Sequence, residues 1–290
     1  ALVVDSGKCG RYSVDFKPRI KEGHYPFFDN NGVPIWPRSD GKSYLYLYTT
    51  MCSYALGQSD FYYLTGDELY LKNLTAVADY IISSGVKEGE NILLREMDNN
   101  NKHTGNISAM SQGEAISVLC RVSEITGKEL YIQYALQLIG PFGKGIEEGG
   151  VVGIISNVDC KWYEEYVTTP LEHVLNGMIY SLWGLRDLYN LTGNDEPGKL
   201  FKDGIEYVSK ALPLFDTGYW SYYWVPEKSK PYVASMMYHN LHICQLDALH
   251  NQTGLKIFKE YADKFKAYTA SPFSRARAVK DIVFAKFLNL

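Results

Sequence analysis

Thr-Gly recurs four times along this chain of 290 residues, as Thr65-Gly66, Thr126-Gly127, Thr192-Gly193 and Thr253-Gly254. The glycines are spaced 61, 66 and 61 residues apart. A period of that size marks a repeated supersecondary unit. Each pair follows one apolar-periodic stretch and precedes another, as in Phe61-Tyr-Tyr-Leu-Thr-Gly-Asp-Glu-Leu-Tyr70. Glycine at that point supplies the left-handed residue that closes one helix before the next begins. The unit is therefore a helical hairpin, and the spacing predicts four of them. Thr50–Thr65 pairs with Asp67–Ser84, Ser111–Thr126 with Lys128–Ile139, Thr169–Thr192 with a helix from about Pro197 to Leu212, and Tyr238–Thr253 with Leu255–Tyr268. Second helices such as Leu255-Lys-Ile-Phe-Lys-Glu-Tyr-Ala-Asp-Lys-Phe265 mix apolar and charged residues at helical period, as an outer layer requires. First helices carry far fewer charges, as an inner layer requires. The expected fold class is all-α: an (α/α) toroid or incomplete barrel of about four helical hairpins, although a straight solenoid shares the pattern. Residues 1–45 are rich in Pro, Gly and Asn turns and are expected to form a short extended or β arm. Residues 46–290 would then be the helical domain, ending in one more amphipathic helix over Ser274–Leu290.

The totals exclude more than they assign. A net charge of −4 leaves no nucleic-acid footprint, so an anionic ligand needs a local pocket. Five cysteines form no CxxC and no Cys–His metal spacing. Cys52, Cys120 and Cys244 fall in expected helices, whereas Cys9 and Cys160 fall in loops where they could pair. No apolar stretch is long and clean enough to cross a membrane. The compartment stays open. The unusual count is tyrosine, 24 against 12 Phe and 5 Trp. An apolar face with a polar tip suits sugar rings, which show C–H on one face and hydroxyls around the edge.

Chemistry concentrates in the segments that precede the inner helices, which this architecture gathers at one end. Thr50, Ser111 and Tyr238 each lie 16 residues before their glycine, whereas Thr169 lies 24 before Gly193. Three of the segments are chemically rich: Ser108-Ala-Met-Ser-Gln-Gly-Glu114, Trp162-Tyr-Glu-Glu-Tyr-Val-Thr-Thr-Pro170 and Tyr238-His-Asn-Leu-His-Ile-Cys-Gln245. In the second, Thr169, Pro170 and Glu172 read as a capped helix start, which would aim backbone amides at Glu165 and Tyr166. Tyr238, His242 and Gln245 share one helical stripe; for His242 a satisfied core histidine is the favoured reading, whereas Tyr238, at the helix mouth, has the better claim to function. The substrate-binding candidates are Trp162, Tyr163, Gln112, Glu114, Arg121, His239 and His242. Asp98, Asn99 and Asn100 offer oxygen ligands for a structural Ca²⁺, but asparagine-rich turns are more often metal-free, and no metal is assigned.

These segments resemble the D-glucuronyl C5-epimerases that act on heparosan and heparan-type chains. The resemblance runs through Ser-Ala-Met-Ser-Gln-Gly (108–113), Trp-Tyr-Glu-Glu-Tyr-x-Thr-Thr-Pro (162–170), Val-Leu-Asn-Gly (174–177), Leu-Pro-Leu-Phe-Asp-Thr-Gly (212–218) and Tyr-His-x-x-His-x-x-Gln-Leu (238–246). It implies an (α/α) barrel and inversion at C5 of a uronic acid within a glycan, D-glucuronate to L-iduronate. It implies catalysis by Glu165, Tyr166, Tyr238 and Tyr223. Val167 stands where the family usually has Pro, and the segment 219–237 lacks the Arg that follows the family's tyrosine. No organic cofactor is expected, because the carboxylate itself acidifies the C5 proton. The expected partner is a uronate-containing glycan, and a homodimer is left open. A uronate lyase on the same scaffold and a glycan-binding protein without turnover remain alternatives. A hydrolase using Glu164 and Glu165 is disfavoured, since adjacent residues rarely flank one bond at the separation two carboxyls need.

Overall fold

The computed structural model describes residues 8–98, 103–228 and 232–287. All four Thr-Gly pairs end a helix, and they do so by one device. Gly66, Gly127, Gly193 and Gly254 have φ of 68°, 71°, 68° and 71°. Each donates its N–H at 2.8 Å to the carbonyl four residues back: Tyr62, Ser123, Tyr189 and His250. The threonines explain themselves too. Thr65, Thr126, Thr192 and Thr253 each donate their hydroxyl to the carbonyl of residue i−4, at 2.6–2.8 Å. Each hydroxyl oxygen then accepts the N–H of residue i+2, across the turn, at 3.1–3.4 Å. One side chain thus serves orphan groups on both sides of the helix break.

The helices that end this way are α2 (Tyr48–Thr65), α4 (Ala109–Thr126), α6 (Leu175–Thr192) and α8 (Met236–Thr253), each 18 residues long. Their partners are α3 (Glu68–Ser84), α5 (Glu129–Gln137), α7 (Asp195–Ala211) and α9 (Lys256–Ala270). A short α1 (Lys17–Lys21) precedes them and α10 (Pro272–Phe287) follows. The layering matches the charge pattern: α2 and α4 are buried almost all round, whereas α3 buries one stripe centred on Leu74, Val77, Ala78 and Ile81. Helix starts differ from expectation. Three inner helices begin two residues early, and the third begins at Leu175 rather than Thr169. The capping box at Thr169 does not form because Glu172–Val174 is a strand, held by long-range pairing described below.

Two compact units divide the chain, the first made of residues 1–152 and 180–202 and the second of 153–179 and 203–290. In the first, strands β1 (Trp36–Pro37), β2 (Tyr44–Tyr46), β5 (Arg95–Asp98) and β6 (His103–Ile107) form an antiparallel sheet, and β3 (Val86–Glu88) pairs with β4 (Asn91–Leu93). The core holds a buried ion pair, Arg121 Nη1 to Asp187 Oδ2 at 2.6 Å, with Ser117 donating to the same oxygen at 2.7 Å. The Tyr12 ring covers the guanidinium at 5.2 Å. α4 and α6 cross at glycines: a Cβ on Gly113 would lie 2.5 Å from Ser181 Cα. Ser108 caps α4, accepting the Ser111 N–H at 3.3 Å. Ser108→Ala is expected to lower unfolding free energy by about 1 kcal/mol in urea titration.

In the second unit, β7 (Val152–Ile155) and β8 (Cys160–Tyr163) pair, and β9 (Glu172–Val174), β10 (Tyr222–Pro226) and β11 (Tyr232–Val233) form a sheet in the order β11-β10-β9. Trp224, Val225 and Pro226 lie opposite Val174, His173 and Glu172. A bulge falls between Tyr222 and Trp224 of β10, where Tyr223 has no partner of its own on β11. All five cysteines are free, so Cys9 and Cys160 are not paired. Among the described residues no helix is long and apolar enough to cross a membrane, and no cluster of His, Cys, Asp and Glu could hold a metal ion. Asn99 and Asn100 lie outside the described residues.

Candidate active site

Three backbone devices in the second unit bring one carboxylate and three phenols together. The loop after β8 carries Glu165 and Tyr166. Strand alternation turns Tyr223 and Val225 inward while Tyr222 and Trp224 stay half-buried. Ser235 caps α8 by accepting the Tyr238 N–H at 3.4 Å, which fixes Tyr238 in the first turn. The Tyr223 and Tyr238 rings lie 4.4 Å apart, centroid to centroid. The Tyr223 hydroxyl donates to the Tyr166 oxygen, and the Tyr166 hydroxyl donates to Glu165. Tyr223 is 8% exposed, Tyr166 44% and Glu165 7%, so the chain has two buried ends and its middle member lies at an open edge.

Burial dominates the electrostatics. It pushes the Glu165 carboxyl up to about 7, against the opposing pull of the Tyr166 hydrogen bond. Burial and then the Glu165 charge raise Tyr166 well above an ordinary phenol, and the same causes with Tyr166 and Tyr238 raise Tyr223 further. Both phenols are therefore protonated donors at neutral pH. Glu165 Oε2 has no hydrogen-bond partner, although it is buried. A carboxyl poised between its two protonation states beside fixed donors can take or give a proton near pH 7.

The substrate-binding candidates do not fare alike, and most serve the packing instead. Trp162 is fully buried, stacks on Phe215 at 5.4 Å and donates its indole N–H to the Val174 carbonyl. Tyr163 is buried edge-on to Tyr207. In the first unit, Gln112 accepts the Leu94 N–H and donates to the Ile92 and Leu138 carbonyls, which satisfies it completely. Glu114 is fully buried and acts on Tyr12, Tyr25 and Cys52. Arg121 is fully buried and held by Asp187 in the core of the same unit.

His239 and His242 are core residues, and Ser221 fixes their tautomers. The Ser221 N–H donates to His239 Nδ1 at 3.2 Å, so that nitrogen carries no proton and Nε2–H donates to the Phe265 carbonyl at 3.0 Å. The Ser221 hydroxyl, 2.7 Å from the same Nδ1, must be the donor there and accepts from His242 Nδ1–H at 3.0 Å. Burial drives His239 down to about 4 and His242 to about 3, so both are neutral.

Other residues, given no role by the sequence reading, stand at the site. Half-buried Tyr222, Trp224 and Tyr232 pack, like Tyr238, against the buried cluster that includes Tyr223, with Trp224 stacked on Tyr232 at 4.8 Å. Unlike Trp162 they are not fully buried, and the alternation of β10 was the signal that could have found Tyr222 and Trp224. Glu164 turns away from its neighbour and bonds His173 Nδ1 at 2.7 Å, both fully buried.

Residues 89–267 match the family described as the D-glucuronyl C5-epimerase C-terminus, well over half of the chain. The chain belongs to this family. It is an isomerase of the sugar-epimerase kind. Over 177 residues it is 34% identical to the D-glucuronyl C5-epimerase of Caenorhabditis elegans, covering 56% of this chain but 28% of that protein. Over 212 residues it is 30% identical to an uncharacterised protein of Methanocaldococcus jannaschii, covering 69% of this chain and 68% of that one. Among solved structures, cellobiose 2-epimerase from Bacillus thermoamylovorans superposes with a TM-score of 0.63 at 12% identity, over 91% of this chain and 75% of that one. At such identity the likeness shows the fold alone, which is all-α and of the (α/α) toroid class.

Proposed function

We propose that this D-glucuronyl C5-epimerase family member inverts C5 of D-glucuronate residues within a glycan to give L-iduronate. The observation that carries the reading is the Glu165 carboxyl, pushed up to about 7 and bonded through Tyr166 to Tyr223, whose ring lies 4.4 Å from that of Tyr238. The C5 proton lies α to the C6 carboxylate, and its removal leaves two negative charges on an enediolate. Donors must therefore face the oxygens where charge develops. Tyr166 and Tyr223 are held as such donors. Inversion needs one group on each face of the ring, one to remove the C5 proton and one to deliver a proton from the other side. Glu165 and Tyr238 come from different elements and serve as that pair. The C5–H bond breaks toward one of them, a new C5–H bond forms from the other, and the carboxylate is restored with no net redox change. Tyr222, Trp224 and Tyr232 supply stacking faces for the sugar.

Incubating the protein with heparosan in heavy water tests the reaction. Deuterium should appear at C5 and iduronate should accumulate without shortening of the chain. An unsaturated uronate with ultraviolet absorbance would identify a lyase instead. Binding without exchange would leave a glycan-binding protein.

A further inference from the structure

We propose that Gly177 is a positioning residue for Glu165: the side chain it lacks is what lets the Glu165 carboxyl lie buried against the first turn of α6. The inference rests on the reading of Glu165 as a proton-transfer group. A Cβ placed on Gly177 would lie 2.3 Å from Glu165 Oε2, 2.7 Å from its Cβ and 3.0 Å from its Cδ. Those contacts run along the side chain, so relief needs the whole glutamate to move and not just its tip. Backbone conformation does not demand glycine here, since Gly177 is absent from the residues with positive φ. Within a helix alanine would be favoured over glycine, so the chain gives up helix stability for space. Oε2, the atom nearest that space, is the buried carboxyl oxygen with no donor. The neighbouring carboxylate shows the same accommodation, because a Cβ on Gly153 would lie 2.2 Å from Glu164 Oε1.

The consequence for chemistry is burial without a counter-charge. Titratable groups face the Glu165 site from its own loop as Tyr166, from β10 as Tyr223, and through these from α8 as Tyr238. From α6 the contact is Gly177, which does not titrate. Filling that space would push the carboxyl outward toward water and lower its pKa toward that of an ordinary glutamate.

Gly177→Ala, Glu165→Gly and the double variant test this. Gly177→Ala is expected to lower kcat for C5 exchange about 10²-fold, the scale of an ångström-sized misplacement, with KM changed far less. Its acid limb should move from near pH 7 toward pH 4.5. The thermal midpoint should fall in the wild-type background but hold or rise in Glu165→Gly, where the obstructing side chain is gone. Full exchange activity with an unmoved limb would overturn the proposal, as would the same shift of midpoint in both backgrounds. Should Gly177→Ala fail to fold, a folded double variant upholds the proposal and an unfolded one sinks it. Were the wild type to exchange nothing, the epimerase reading would fail while the paired midpoints still decide the role of Gly177.

Discussion

Tyr238→Phe is expected to cut C5 inversion by a factor on the order of 10²–10⁴ while the protein stays folded. The substitution removes one phenolic oxygen from a half-buried ring and keeps the ring contact with Tyr223 at 4.4 Å. The N-cap of α8 is also untouched, because Ser235 binds the backbone N–H of residue 238. Packing loss is therefore small, and thermal midpoint and heparosan affinity should change little. What is lost is the proton on one face of the ring. Both directions of inversion should fail together, since each turnover uses both faces. Half of the chemistry should survive: Glu165 can still remove and return the C5 proton of the epimer presented to it. Tyr238→Phe should thus wash label out of one epimer without converting it. Full inversion by this variant would refute the assignment of Tyr238. Loss of activity with a collapsed thermal transition would show instead that the residue holds the fold.

Helix ends were legible in the sequence and helix starts were not. A left-handed glycine and a threonine that bonds both sides of the turn are local devices, so Thr-Gly reports the end of α2, α4, α6 and α8 directly. The start of α6 is set at a distance. Thr169, Pro170 and Glu172 form a good local capping signal, yet Glu172–Val174 pair with Trp224–Pro226, some 50 residues away, and the helix begins only at Leu175. With that start, all four inner helices have the same length, and the apparent irregularity of the third hairpin disappears. The site divides along the same line. Glu165, Tyr166, Tyr223 and Tyr238, the four residues the motif resemblance singles out, lie together. Trp162, Gln112, Arg121 and His239 are chemically suggestive types whose orientation is decided by packing, and packing turns them inward. Gly177 stands in the motif 174–177 that carries the resemblance but has no role there, because what matters at that position is a missing side chain.

Glu165→Gln should produce two effects of opposite sign, and the pair distinguishes a proton-transfer role from a structural one. Glutamine keeps the shape but neither accepts nor releases a proton, so inversion should fall on the order of 10²–10⁴-fold. Under the proposed two-face mechanism, the pair of Glu165 and Tyr238 must begin each turnover one proton short of fully protonated. Both directions should therefore lose rate as pH falls below about 7, where Glu165 becomes protonated. Stability follows the same titration. With its pKa at about 7 in the fold against 4.5 ordinarily, the native state holds a proton between these values that the unfolded chain has released. Stability is thus highest below pH 4.5, falls as pH rises through the window and stays low above 7. That interval corresponds to about 3 kcal/mol. Glutamine abolishes the dependence, so Glu165→Gln should gain up to about this much relative to wild type between pH 4 and pH 8. Denaturant titrations of both proteins across that range measure it. Parallel stability curves would mean that Glu165 titrates normally, and the poised carboxyl on which the proton-transfer role depends would be ruled out.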